Sequence, residues 1–456
     1  MGMIRSTIDR AKSAFTYEAL TPRGRRKRVS SIVTREDKHV RGNKHRALQA
    51  NASDLVRNMS VCAWAVRKHL DYVSCFTFNM KTANVELNTE IERLMAIDAR
   101  PSRCDIAGKF GREKMFRIAE ARRVVDGDTA LVMLNDGRLQ GISADLIRDP
   151  DKVLPGEDWI NGVLVTGFGR RLAFGVHQRH GYSGRKYDRR INATNVIHYG
   201  FFSDRFAADQ VRGISPLVAA LDPLRDLKES IQLAQARAKV AQIFAMAITR
   251  DAPETIGDPD DEDPTNYAVD FDDPQLLDLA PGDDAKFLDS RTPSTEFQAF
   301  SVLVIQLALT ALDIPFSMFD GSRSTFYGGR AEWLQYLSSC QDKRADQIEM
   351  RRVYTVWKLR QWIRDGRLVL PIGTTISDLD FEWIAANKTP WFDQSKEARG
   401  HVAAIKAGLD TPQRIAAEKG GVYEENIDAI AKASEYAKSK GVAVDFAPII
   451  EPKNQG

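Results

Sequence analysis

Two segments of the chain open helices by the same device, and what lies between them constrains the architecture most. Ser215-Pro216 and Thr292-Pro293 each put a hydroxyl side chain at a helix cap and a proline at the first helical position, where its missing amide costs no hydrogen bond. After the first, Leu217, Leu221, Leu224, Leu227, Ile231 and Ala234 recur at helical spacing, which predicts a helix to about Ile248. After the second, Phe297, Phe300, Val304, Leu307 and Ala311 form the apolar side of a helix that runs to Asp313 and is stopped by Pro315. Between them, residues 251–289 hold fourteen Asp or Glu against one Lys. The densest part is Asp258-Pro-Asp-Asp-Glu-Asp-Pro264. Prolines forbid a continuous helix there, while 267–271 and 275–279 allow short strands. The expectation is two long helices separated by an acidic knob.

Upstream, Leu55, Val56, Met59, Val61, Ala63 and Val66 predict a helix over about 50–70, and a second is expected near 109–126, ending at Asp126-Gly127. Residues 129–134 read as a strand, Asn135-Asp-Gly137 as a hairpin turn, and 138–147 as the returning partner. Short strands at 162–166, 172–176 and 195–199 complete an antiparallel β unit over 125–200. Downstream of Pro315 comes Phe319-Asp-Gly-Ser-Arg-Ser-Thr-Phe-Tyr-Gly-Gly-Arg-Ala-Glu-Trp333, rich in glycine, hydroxyls and arginine. A long basic helix then runs from near Gly329 to Gly366, with Trp333, Leu337, Cys340, Ile348, Val353, Val356, Trp357 and Ile363 on its apolar side. A strand-like patch at 379–384 and a helical tail over 393–439 follow.

Composition excludes several classes. The net charge is +3, so the chain is not a polybasic coat, although ten Lys or Arg fall between Arg23 and Arg46 against two acids. That arm reads equally as a nucleic-acid contact or as a solvated terminus. Cys62, Cys75, Cys104 and Cys340 lie far apart without a CxxC pair, which points to free thiols in a reducing compartment. The longest apolar run, near 302–312, is broken by Gln306 and is too short for a bilayer; no membrane partner is expected. His177 and His180 sit at a strand end with no third ligand nearby, and the acidic segment lacks a calcium-loop spacing. The glycine-rich stretch at 319–333 has no GxxxxGK[ST], and no GxGxxG or GxSxG follows a strand. No catalytic residue, metal or cofactor is assigned.

Five local patterns, in order, resemble the lambda-type family of tailed-phage portal proteins. They are Ala52-Ser-Asp-Leu-Val-Arg-Asn58; Val125-Asp-Gly-Asp-Thr-Ala-Leu131; Asp209-Gln-Val-Arg-Gly-Ile-Ser-Pro-Leu217; Leu312-Asp-Ile-Pro-Phe-Ser-Met318 with Ser324-Thr-Phe-Tyr327 and Arg330-Ala-Glu332; and Ala407-Gly-Leu-Asp-Thr411 with Gly420-Gly421. Together they span roughly 50–440. The resemblance implies an α+β portal fold with a β-rich wing, two antiparallel stem helices, a small α/β clip, a long wing helix and a helical crown. In these terms 1–49 is the basic arm, 50–215 the wing, and 216–248 and 293–314 the stem helices. Residues 249–292 are the clip, 315–328 the tunnel loop, 329–390 the long helix and wing return, and 391–456 the crown and tail.

The implied function is a ring of about twelve copies at one capsid vertex, in the virion and assembled in host cytoplasm, through which double-stranded DNA is packaged and ejected. Implied partners are the terminase large subunit, the head–tail adaptor, and major capsid and scaffold proteins. Ser322, Arg323, Ser324, Thr325, Tyr327 and Arg330 become the DNA-contacting loop, which Gly321, Gly328 and Gly329 would leave free to move. Asp258, Asp260, Asp261, Glu262 and Asp263 become the face toward terminase or adaptor. Two other readings of the residues stand beside this one: a metal-dependent nucleic-acid-processing enzyme with its site in 251–289, and an assembly scaffold with a basic tail.

Overall fold

The computed structural model describes residues 37, 40, 42–181, 184–202, 210–243, 246–250, 283–287, 295–386 and 394–442. Where one helix is expected over 50–70 there are two, α1 (Asn43–Asn58) and α2 (Ser60–Val73). They part at Met59, whose φ of −127° and ψ of 113° are extended. Then come β1 (Phe76–Met80), α3 (Val85–Asp98), the single turn α4 (Pro101–Cys104) and α5 (Arg112–Asp126). Asn84 starts α3 by accepting the Leu87 amide at 3.0 Å, and Gly127 ends α5 with a φ of 95°, open to glycine at little cost.

The β unit comprises β2 (Asp128–Met133), β3 (Leu139–Ser143), β4 (Asp158–Ile160), β5 (Val163–Val165), β6 (Arg171–His180), β7 (Gly184–Asn192) and β8 (Val196–Gly200). It divides into two antiparallel sheets, ordered β3-β2-β8 and β4-β5-β6-β7. Asn135-Asp-Gly137 turns the β2–β3 hairpin, closed by the Leu134 amide on the Arg138 carbonyl at 3.0 Å. Inward residues of both sheets, among them Val132, Ile142, Val163, Phe174, Val176 and Ile191, make one shared core.

Ser215 caps the next element as expected, its Oγ accepting the Leu217 amide at 3.2 Å. The first turns, Pro216–Ala220, are 3₁₀, and α6 covers Leu221–Ile243. The helix expected to reach Ile248 therefore ends earlier, and Met246–Arg250 forms β9, which ladders with β10 (Asp283–Phe287) so that Met246 faces Phe287 and Arg250 faces Asp283. Alanine, methionine and isoleucine suit either state, and strand pairing across the intervening segment decides it. The strands expected at 267–271 and 275–279 lie outside the described residues. α7 (Thr295–Leu309) follows. Leu221 and Leu224 at the start of α6 share a core with Ala308 and Leu309 at the end of α7, so the two helices run antiparallel.

α8 (Phe326–Arg364) is 39 residues long, about 58 Å at 1.5 Å per residue. Then come β11 (Phe381–Ala385), α9 (Gln394–Lys406), α10 (Pro412–Glu418) and α11 (Tyr423–Ser439). β11 pairs antiparallel with β1, Phe76 opposite Ala385 and Met80 opposite Phe381. The buried side of α8 is not the expected apolar one. Of the eight residues read as that side, Cys340 is buried and the rest are half-buried. The buried stripe is Tyr336, Cys340, Arg344, Gln347, Arg351, Tyr354, Lys358 and Trp362, with their neighbours. Each of its cations has a partner. Arg344 donates to the Tyr72 carbonyl at 2.6 Å, Arg351 to Glu113 at 3.2 Å, and Lys358 to Asp98 at 2.9 Å. Hydropathy cannot find a stripe whose charges are neutralised by other elements. Cys62, Cys104 and Cys340 are buried free thiols and Cys75 is half-buried.

Candidate nucleic-acid interface

The sequence-predicted loop is anchored at both ends. Asp313, left-handed at φ 58°, turns the chain out of α7 and pairs with Lys343 at 2.7 Å. Phe316–Met318 and Gly321–Arg323 are 3₁₀ turns. Phe319 packs edge-on against Trp64 of α2 with centroids 5.4 Å apart, and Ser317 donates to Glu332 of α8. Asp320 accepts the Ser322 amide at 3.0 Å.

α8 begins at Phe326, three residues before the expected Gly329, because Thr325 is its cap. The Thr325 Oγ accepts the Gly328 amide at 3.1 Å. Of the expected contact residues, Ser322 and Arg323 therefore lie in a 3₁₀ turn, Ser324 precedes the cap, Thr325 is the cap, and Tyr327 and Arg330 lie in the helix. Gly321, Gly328 and Gly329 are absent from the positive-φ residues, and a Cβ on Gly329 would sit 2.8 Å from the Ser324 Oγ. Glycine avoids a close contact with the Ser324 hydroxyl there.

What faces outward is compact. Tyr327 is 81% exposed beside the exposed Phe326 ring, and Ser322 is exposed. Arg330 is half-buried and has no ion pair among the described residues. The first turn of α8 contains no acid, so the positive end of the helix dipole is uncompensated there. Such a surface can meet a phosphate in passing. Asp258, Asp260, Asp261, Glu262 and Asp263 lie outside the described residues. Among the described residues no group of three His, Cys, Asp or Glu could hold a metal, and no helix is long and apolar enough to cross a membrane.

The residues that position this surface were visible as motifs, but their meeting was not. Asp128 of the Val125–Leu131 pattern and Arg212 of the Asp209–Leu217 pattern form a buried two-pronged ion pair at 2.6 and 2.8 Å. Arg212 also donates to the carbonyls of Ala144, Ile147 and Asn161. Asp128 further accepts the Gly213 amide at 3.0 Å and holds His198 at 3.1 Å. Burial would raise the Asp128 carboxyl, but Arg212 and these hydrogen bonds hold it well below the usual range. Burial pushes His198 down to about 4, against the pull of Asp128, and pushes His45 down to about 4 with help from Arg212.

Gly127 and Gly213 touch through their backbones, and a Cβ on Gly213 would lie 2.1 Å from the Gly127 carbonyl oxygen. Ser215 donates to the Val124 carbonyl at 2.6 Å, and Gln49 of α1 to that of Asp126 at 3.1 Å. This clamp fixes the entry to α6 on the helical core against which Phe316 and Met318 also pack. A glycine-and-Asp pattern 84 residues from an Arg-Gly pattern gave the only sequence signal.

The sequence profile described as "Phage portal protein, lambda family" matches residues 23–342. No curated protein matches the chain. Among solved structures, the chain is similar to one in the neck of an empty GTA particle computed with C6 symmetry. The two share 15% identity at a TM-score of 0.47, over 81% of this chain and 94% of that one. A chain in the neck of a native GTA particle computed with C12 symmetry gives 14% and 0.44 over 81% and 93%. One in the virion of a native gene transfer agent particle gives 15% and 0.45, also over 81% and 93%.

Proposed function

The chain belongs to the lambda family of phage portal proteins, and from that premise we propose that it assembles as a ring of about twelve copies at one capsid vertex and conducts double-stranded DNA, with no chemistry of its own. In this reading α6 and α7 are the stem helices, the β9–β10 ladder belongs to the clip, and 315–328 with the start of α8 forms the DNA-facing rim. The acidic residues 258–263 face terminase and later the head–tail adaptor, and the finished ring resides in the virion. The observation that carries this is the antiparallel pair α6–α7, entered through the Asp128–Arg212 clamp and separated by a β ladder. The outward side of the pair supports assembly: Leu233 is 67% exposed, and Phe300, Leu303 and Leu307 are 47%, 52% and 55% exposed. Apolar residues grouped in this way mark surfaces that neighbours cover, and a head-to-tail contact must close by rotation to make a ring.

DNA that moves must be held loosely, because tight phosphate binding would stall it. Arg330, without an ion pair among the described residues, the acid-free start of α8 and the exposed Tyr327 offer weak contacts without sequence information. Replacing Arg323 and Arg330 with Ala tests the rim: rings should form normally while packaged DNA falls. Failure of ring assembly would make the segment a subunit contact instead. Replacing residues 258–263 with Lys should weaken terminase or adaptor binding to intact rings.

A further inference from the structure

A cleft of about 370 Å³ lies where the end of α3, the single turn α4, the β2–β3 turn and the end of α8 meet. Four cations line it, Arg103, Arg138, Lys358 and Arg367, against three carboxylates. Each carboxylate is already taken. Asp98 serves two of the cations, Lys358 at 2.9 Å and Arg367 at 3.0 Å. Asp136 holds Arg138 at 2.6 Å, and Asp365 holds Arg364, which does not line the cleft, at 3.1 Å. Arg103 is left over. Its side chain is exposed and has no hydrogen-bond or ion-pair partner among the described residues. The same holds for the neighbouring Ser102 hydroxyl. The segment that carries them is firmly held. The one acid between Ala99 and Gly111 is Asp105. It is 5% exposed and is occupied by the amides of Ala107, Lys109 and Phe110 at 3.1, 3.0 and 3.2 Å. The Ile106 amide reaches the Leu139 carbonyl at 3.0 Å, and the Arg112 amide that of Ala99 at 2.9 Å.

An exposed arginine on an open surface needs no ligand. Here the arginine stands in a walled cleft whose acids are all turned to other cations, on a backbone that is already fixed. We propose that this cleft binds a phosphate group, with Arg103 as its main cation, Arg138 and Arg367 adding positive charge, and the Ser102 hydroxyl as a further donor. A guanidinium fork matches phosphate oxygens and holds them by charge-assisted hydrogen bonds. The cations come from α4, from the β2–β3 turn and from the segment after α8, so they approach from several sides, as the oxygens of a tetrahedral phosphate require. The cleft also has the volume of a small-ligand site, roughly 300–1,000 Å³, and so takes in part of what carries the phosphate, a nucleic-acid backbone or a free nucleotide. From Phe326 to Gln361, α8 rises roughly 50 Å, so this site is separate from the rim. It is also independent of ring formation, since every lining residue belongs to one subunit.

The test uses the full chain and two labelled probes, a short fluorescein-tagged DNA duplex and a fluorescent nucleoside triphosphate. Fluorescence anisotropy should show saturable binding of at least one of them that Arg103→Gln weakens by about tenfold or more, the weight of one charge-assisted contact. Arg103 has no partner to lose, so the far-ultraviolet circular dichroism spectrum and the urea midpoint of the variant should match the parent. Arg103→Lys, which keeps the charge without the fork, should recover part of the affinity. Hydrogen exchange should slow over 99–111 in the complex. Dependence on Arg103 for the nucleotide alone makes a free nucleotide the source of the phosphate, and dependence for the duplex makes it nucleic acid; either supports the site. The proposal is overturned if neither probe binds, if whatever binds holds Arg103→Gln as tightly as the parent, or if a peptide of alternating Glu and Val binds through Arg103 in their place.

Discussion

Replacing Arg212 with Met is the sharpest probe of the clamp. The side chain is 1% exposed and Asp128 is fully buried. The substitution removes two charged hydrogen bonds at 2.6 and 2.8 Å and three to backbone carbonyls. It leaves a buried carboxylate with the Gly213 amide and His198 as its remaining partners. Stranding one member of a buried pair costs about 3–5 kcal/mol, and each orphaned carbonyl adds about 1 kcal/mol. Relaxation recovers part of this, so the expected loss is about 5 kcal/mol, a large fraction of a typical stability of roughly 5–15 kcal/mol. Urea unfolding followed by circular dichroism, with hydrogen exchange resolved over 215–224, should show a lowered midpoint and faster exchange at the start of α6. Adding Asp128→Leu should cost far less than the two single losses summed, with a coupling of about 2–3 kcal/mol. A loss under about 1 kcal/mol for Arg212→Met, or strict additivity in the double variant, would refute the clamp as the device that seats α6.

The clamp also predicts an acid dependence. His45 and His198 have folded-state values depressed to about 4, so the unfolded chain binds more protons between about 6.5 and 4, and stability should fall as pH drops through that window, by up to about 3 kcal/mol per histidine. Asp128 is depressed too, so its contribution is complete above the ordinary carboxylate range and is lost below it. A flat urea midpoint from pH 7 to 4.5 would contradict this. Arg351 is fully buried, with its guanidinium 4.5, 4.8 and 4.9 Å from the rings of Phe76, Phe116 and Trp383. Arg351→Ala should cost about 3–5 kcal/mol through the cavity and the lost ring contacts, and Arg351→Met, which refills the space, less than half of that; equal losses would mean that packing is irrelevant there. Gly329→Ala should be close to neutral alone, because helix propensity offsets the clash with Ser324, and should stabilise by about 1 kcal/mol when Ser324→Ala removes the clash. A gain of that size from Gly329→Ala alone would mean that Ser324 moves aside freely.

Much of this architecture was legible in the residues, for local reasons. Asn135-Asp-Gly137 turned a hairpin, Ser215 capped the segment it was expected to cap, and Asp126-Gly127 ended α5. Local signals failed where a distant partner decided the outcome. β1 was missed because Phe76–Met80 is a strand only against β11, some 300 residues later. The end of α6 was overrun because an apolar stretch suits helix and strand alike until β10 pairs with it. The buried side of α8 was misread because Arg344, Arg351 and Lys358 look like solvent residues until Tyr72, Glu113 and Asp98 meet them. Over 319–333, composition pointed to an irregular loop up to Gly329, while Thr325 and Asp320 supply caps that shape it into a short turn and start the helix at Phe326.

The central claim is that α6, α7 and the rim are parts of a closed channel. Native mass spectrometry of the purified full chain, with negative-stain imaging of the same sample, tests it most directly. The account predicts a discrete ring of about twelve 51.1 kDa subunits closed by rotation, with a central hole wide enough for duplex DNA. A stable monomer, or an open aggregate without a hole, would contradict it.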